Sequence, residues 1–189
     1  MFFSNYIRAG KVDRTEEMLD TKGKLLLKTW YTFQVNVKKK DPLSDDEYTD
    51  GNTATLEVSP LHLAIISQQG PCLDVILEAI GAMYNKSNLQ DDTDSPNCEQ
   101  LLAAKVSVTF PSDDPKLYID EDQMLDGMNI LHLAAKYYPE GLERIICFSQ
   151  KRKRLLKMIQ EILLVGVDNQ IKNTPLHVAA SSSNVTALR

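Results

Sequence analysis

The apolar positions of this chain change period along its length. Phe2, Phe3, Tyr6 and Ile7 recur at helical spacing, Ala9-Gly10-Lys11 breaks the run, and Val12, Met18 and Leu19 mark a second helix. From Tyr31 the period drops to two. Tyr31, Phe33, Val35 and Val37 alternate with Thr32, Gln34, Asn36 and Lys38, and Ala54-Thr55-Leu56-Glu57-Val58 forms a second strand-like run. These are the arms of an enlarged hairpin finger, and its tip, Lys38 to Asn52, has an acidic, breaker-containing composition that predicts a solvated, mobile segment. The helical period then returns: a helix from Pro60 to about Ser67, a turn at Gln69-Gly70-Pro71, and a helix whose buried face is Leu73, Ile76, Leu77 and Ile80.

The next stretch repeats this scheme with additions. Asp91 to Asn97 reads as disordered, and Val106, Val108 and Phe110 alternate with Lys105, Ser107 and Thr109 as a strand, followed by the breakers Pro111 and Pro115. A second decorated hairpin is the economical interpretation. Asp126-Gly127 predicts a turn before a helix, and Pro139-Glu140-Gly141 leads into Leu142, Ile145, Ile146 and Phe148. That helix either runs long or breaks near Ser149, because Leu155, Leu156, Ile159, Ile162 and Leu163 continue an amphipathic pattern.

All three histidines sit in one recurring phrase: Ser59-Pro60-Leu61-His62-Leu63-Ala64, Asn129-Ile130-Leu131-His132-Leu133-Ala134-Ala135 and Thr174-Pro175-Leu176-His177-Val178-Ala179-Ala180. Ser59 and Thr174 are suited to cap a helix, and Pro60 and Pro175 then occupy the first helical position, where a missing N–H costs nothing. Leu61, Leu131 and Leu176 are expected to point into the core, with the alanines after each histidine admitting a neighbouring helix. His62, His132 and His177 read as structural, bonding the turn beside them rather than a metal or substrate.

The phrase Thr-Pro-Leu-His-x-Ala-Ala resembles the opening of an ankyrin repeat, whose usual period is ~33 residues. The resemblance implies a mostly α-helical ankyrin-repeat solenoid of about four repeats, at 1–28, 51–83, 126–166 and 172–189, with elongated β-hairpin insertions near 29–58 and 84–123 and a further insertion near 149–157, in or beside the second helix of its repeat. Repeat one is degenerate and has a polar middle at Thr15-Glu16-Glu17, as suits a terminal cap. Between His62 and His132 lie 70 positions, and between His132 and His177 lie 45. The two excesses over one period are about 37 and about 12 residues. Gly166-Val167-Asp168-Asn169 resembles the loop that ends such a repeat. Repeat four is cut short after Ala180, so Val178, Val185 and Leu188 are expected to be incompletely covered and a longer parent chain is expected.

Composition narrows the picture further. No run of 18 apolar residues and no basic amino-terminal signal region occurs, so neither a membrane span nor a secretory leader is expected. Cys72, Cys98 and Cys147 are odd in number and form no CxxC pair, which disfavours a disulfide framework or zinc site and suits the cytoplasm or nucleus. A net charge of −5 argues against general nucleic-acid binding. No Gly-rich phosphate loop, HExxH or GxSxG occurs; the expectation is a non-enzyme without cofactor or metal.

Ankyrin arrays bind other proteins through hairpin tips and the inner helix surface, so the resemblance implies a protein partner and a scaffold or regulatory role. The departures from the pattern select the contact candidates: Phe33, Asp45, Asp46, Glu47, Tyr48, Phe110 and Tyr118 on the insertions. Those insertions folding back on one another is the competing expectation. Lys151, Arg152, Lys153, Arg154 and Lys157 suggest a nuclear-import signal or a patch for an acidic partner, set against an ordinary solvated helix face. Ser44, followed by Asp45-Asp46-Glu47, has the flank favoured by acid-directed kinases. Three roles remain open at this point: a stand-alone regulator, the cytosolic ankyrin region of a larger channel or enzyme, and a bacterial effector mimicking eukaryotic scaffolds.

Overall fold

The computed structural model describes residues 2–40, 47–87, 98–111, 117–118, 125–165 and 172–182. They form a mostly helical protein with a small antiparallel sheet. The chain opens with α1 (Phe2–Arg8) and α2 (Val12–Lys28), rises into the strands β1 (Tyr31–Lys40) and β2 (Glu47–Val58), and returns as α3 (Pro60–Ile66) and α4 (Gly70–Ser87). A short helix α5 (Cys98–Ala103) precedes β3 (Ser107–Thr109) and β4 (Leu117–Tyr118). Then come α6 (Ile130–Tyr137), α7 (Pro139–Gln150), α8 (Lys153–Val165) and α9 (Pro175–Ser181).

The helices stack in two rows. α1, α3, α6 and α9 touch in succession, as do α2, α4 and α7, and each antiparallel pair closes one row on the other; α8 folds against α7 and α9. The turns between paired helices use the left-handed backbone where they must. Gly10 has φ 64°, and Gln68 takes φ 52° in the turn between α3 and α4. One continuous apolar core runs between the rows from Phe3 and Ile7 through Leu61, Leu73, Ile76 and Ile80 to Leu131, Ile145, Leu155 and Ile159.

Glycines let successive units approach closely. A Cβ at Gly10 would collide with the Gln69 side chain, and one at Gly70 would collide with the Tyr138 hydroxyl and the Arg144 guanidinium. Gln69 and Tyr138 both directly precede the second helix of their pair. Each therefore presses back on the turn of the pair before it.

The sheet order is β3-β2-β1-β4, antiparallel throughout. Alternation decides its faces: Tyr31, Phe33 and Val35 are half-buried, Val37, Ala54, Leu56 and Val58 are buried, and Thr32, Gln34 and Asn36 are exposed. Register pairs Tyr31 with Val58, Phe33 with Leu56 and Val35 with Ala54, and an irregularity interrupts the pairing between Asn36 and Lys38. The apolar face of the finger thus continues the core beneath it.

Several sequence expectations need correction. Strand pairing continues through Lys40 and resumes at Glu47, so residues 38–40 and 47–52 are strand rather than tip, and 41–46 lie outside the described residues. The second hairpin does not form among the described residues: β3 joins β2 and β4 joins β1, on opposite edges of the first finger. The long β1–β2 ribbon offers two edges, and β3 and β4 each cover part of one. The inserted segment also carries the helix α5, which alternation alone did not reveal.

The helix after Pro139 breaks at Lys151-Arg152, one of the two expected outcomes. Leu61 and Leu131 are buried, but Leu176 is 39 % exposed. Among the described residues α3 and α6 each lie between two helices of their row, whereas α9 has α6 alone beside it in that row. Val178, expected to be incompletely covered, is buried against those neighbours. Residues 91–97, 166–169, Val185 and Leu188 lie outside the described residues.

Tyr31 yields a direct test. Its hydroxyl is buried with no hydrogen-bond partner among the described residues, and burial pushes its pKa up to about 12. An unsatisfied hydroxyl costs stability that its removal recovers. Tyr31→Phe is therefore expected to leave the unfolding free energy unchanged or raise it by about 1 kcal/mol, measured by urea denaturation. A loss of that size instead shows that the hydroxyl holds a bond.

Candidate functional site

The three histidines share one local design. Ser59, Asn129 and Thr174 are the N-caps of α3, α6 and α9, and their side chains accept from the amides of His62, His132 and His177. In an ordinary capping box a Glu or Gln returns the favour; here the imidazole does. Nδ1 accepts the cap's own N–H at 3.1 Å in His62, 3.4 Å in His132 and 3.3 Å in His177. In the first two, Nε2 points the other way. It lies 3.0 Å from the Ala104 carbonyl oxygen at His62 and 2.9 Å from that of Asn173 at His132.

These acceptors belong to the next structural unit. Ala104 directly precedes Lys105, which forms a bridge with Asn129, and Val106 donates to the Met128 carbonyl at 2.8 Å. Asn173 directly precedes the α9 cap. Each ring therefore ties its own helix start to the backbone beside the following helix start. His62 and His132 are fully buried, whereas His177 is exposed. Burial pushes the pKa of His62 down to about 4, only partly opposed by the Ala104 bond. Its proton therefore sits on Nε2, because Nδ1 accepts from Ser59.

The insertion candidates fall in two places. Phe33 is half-buried against the core with the Arg8 guanidinium 5.6 Å from its ring centroid, and Phe110 is half-buried just after β3. Glu47 and Tyr48 pair through their backbones with Lys40 and Lys39, and Tyr118 pairs with Lys38. The sheet thus brings positions 47, 48 and 118 to the same stretch of β1, from its two sides. Asp45, Asp46 and Ser44 lie outside the described residues.

The basic candidates differ in exposure. Arg152 is only 13 % exposed: its guanidinium lies 4.1 Å from the Phe148 ring centroid, donates to the Phe148 carbonyl at 3.1 Å and faces Glu78 at 3.9 Å. Gly81 makes room for it, since a Cβ there would collide with the guanidinium. Arg152 thereby clamps the α7–α8 corner onto α4. Lys151, Lys153, Arg154 and Lys157 are exposed, and Lys157 faces Glu161 at 3.8 Å.

A cleft of about 470 Å³ separates α4 from α7. Its carboxylates Asp74, Glu78, Glu140 and Glu143 are interleaved with Arg144 and Lys151, and Asp74 is ion-paired with Arg144. The four carboxylates outnumber the two cations, so the cleft is acidic on balance. Cys147 is exposed in this cleft, and Cys72 is buried beside Thr15.

Reading the sequence missed Trp30, the one tryptophan, which is 44 % exposed with its ring centroid 6.1 Å from that of His62. It lies between a helical and a strand-like run, outside both periodic patterns. Leu25, in the last part of α2, is 66 % exposed. An exposed tryptophan is the kind of aromatic anchor that partner surfaces favour. Among the described residues, no helix is long and apolar enough to cross a membrane. Compared with protein families, curated proteins and solved structures, the chain matches none.

The His62 site has a pH signature. Its folded pKa of about 4 lies below the ordinary 6.5, so folding favours the neutral ring. The contribution is complete above pH 6.5 and is lost as pH falls from 6.5 to 4. Over that window the wild type should lose up to about 3 kcal/mol, and His62→Asn should lose less. Denaturation curves across the window check this; identical pH slopes for the two proteins contradict it.

Proposed function

We propose that this chain is an ankyrin-type repeat domain that serves as a protein-interaction scaffold or regulator. The observation that carries the reading is the recurrence of one cap, in which a histidine three residues into a helix bonds back to its N-cap. Two rows of paired helices and a sheet set between the first and second pairs support it. Stacked units of this kind present an extended surface on a rigid spine.

The binding surface is the finger and its base. Trp30 supplies an exposed aromatic at that base, and positions 47, 48 and 118 converge higher on the sheet. Exposed Lys153, Arg154 and Lys157 on α8 offer a second region, suited to an acidic partner or an import receptor. In this reading the chain catalyses nothing and works in the cytoplasm or nucleus.

The test is affinity capture from cell extract with wild-type chain, with Trp30→Ala, and with residues 41–46 replaced by a Gly-Ser linker. Both variants should keep the wild-type circular dichroism and lose the same subset of partners, at least about tenfold for a central aromatic anchor. Undiminished capture by both moves the binding surface to the helix rows.

A further inference from the structure

We infer that this chain associates with a second copy of itself, the acidic face of α2 in one copy lying along the basic face of α8 in the next. This names the acidic partner proposed for α8 and rests on that part of the reading, not on the repeat architecture. Among the described residues the exposed large apolar side chains are Leu25, Trp30, Leu164 and Leu176. They fall on the first and last parts of the helical array: Leu25 on α2 and Trp30 just after it, Leu164 on α8 and Leu176 on α9. The helices between them, α3, α4, α6 and α7, show none among their described residues.

The exposed sides of α2 and α8 begin with opposite charge. On α2, Thr15 and Leu19 are buried, Thr15 beside Cys72 of α4, and Asp13, Glu16, Glu17 and Asp20 are exposed on the other side. Arg14 is paired with Glu17 at 2.7 Å, which leaves Asp13, Glu16 and Asp20 as an acidic excess. On α8, Leu155 and Ile159 are buried, and Lys153, Lys157, Gln160 and Leu164 are exposed along one line of the helix. Exposed Lys151 directly precedes this line at the α7–α8 corner. Lys157 lies 3.8 Å from Glu161, but that pair is itself exposed and exchanges readily for another.

The two faces match in order as well as in sign. Leu25 and Leu164 each follow the first charge of their helix, Asp13 and Lys153, by about three turns. Laid parallel, the acidic stretch of α2 meets the basic stretch of α8 while Leu25 meets Leu164. Laid antiparallel, each leucine faces charges. α2 leaves helical geometry at Lys22, between its acidic stretch and Leu25, so each contact is made by a regular helical segment.

Within one copy α2 packs on α4, α4 on α7 and α7 on α8, so the match between α2 and α8 is made between copies. Exposed ion pairs are individually weak, and the leucine contact adds the removal of apolar surface from water. Association is therefore weak and sensitive to salt. It joins two different faces, so a copy that has bound through α2 still offers α8. Such a contact extends beyond the dimer unless the rotation between copies closes a ring.

Sedimentation velocity of the purified chain tests this. The sedimentation coefficient should rise with concentration at low salt and return toward the monomer value as salt is added. Reversing α8 with Lys153→Glu and Lys157→Glu, or α2 with Glu16→Lys and Asp20→Lys, should weaken association at least about tenfold with circular dichroism unchanged. The two reversed chains, mixed, should regain what each has lost, because each offers the other an opposite face. Leu164→Asp, which keeps the lysines, should weaken association too. No other protein is present, so failure here leaves partner capture through Trp30 and the finger untouched. A monomer at every concentration overturns the inference and leaves α8 to a different acidic partner. Association that survives both reversals, reversed chains that stay apart when mixed, or indifference to Leu164→Asp overturns it as well.

Discussion

A neutral imidazole has one donor and one acceptor, and this fold uses them in opposite directions. At His62 the acceptor satisfies the amide of the helix cap, and the donor reaches the Ala104 carbonyl beside the next helix start. Helix starts leave amides without intrahelical partners, and in a buried position each orphan is costly. A capping Glu would satisfy the same amide but could not donate onward. The choice of histidine thus converts a local capping requirement into a bond between units 42 residues apart.

The second row of helices is coupled by different means. Gln69 and Tyr138 press onto glycines of the preceding turn, and Arg152 lies over Phe148 and Gly81 to pin the α7–α8 corner on α4. The rows therefore have complementary links: buried hydrogen bonds along α3 and α6, and side chains seated on missing Cβ atoms along α2, α4 and α7. The extra helix α8 is accommodated because Arg152 closes the break that precedes it. Such short-range links suit a stack in which each unit contacts only its neighbours.

Helices and their turns were legible in the sequence because local rules decide them. Ser59-Pro60 and Thr174-Pro175 announce helix starts, and Leu73, Ile76, Leu77 and Ile80 mark a face that the structure buries. What stayed hidden depends on partners distant in sequence. Nothing local tells β3 to join β2 rather than a neighbour in its own insertion, because both pairings satisfy the same alternation. Lys151 to Arg154 read as one charge cluster, yet Arg152 is withdrawn by an aromatic ring near the end of α7 and a glycine on α4. Trp30 escaped because it belongs to neither period. The histidine phrase revealed the cap but not the identity of the carbonyl at its far side.

Trp30 lies between the first helix pair and the sheet, where it can report on the coupling between units. The most direct measurement is urea unfolding of the wild type and His62→Ala, followed both by Trp30 fluorescence at the junction of the first two helix pairs and by far-ultraviolet circular dichroism over all helices. If the buried histidine holds the units together, the wild type unfolds in one transition common to both probes. His62→Ala then loses on the order of 1–3 kcal/mol, and its fluorescence and helicity transitions separate. A variant that unfolds in a single coincident transition at the wild-type midpoint contradicts the account.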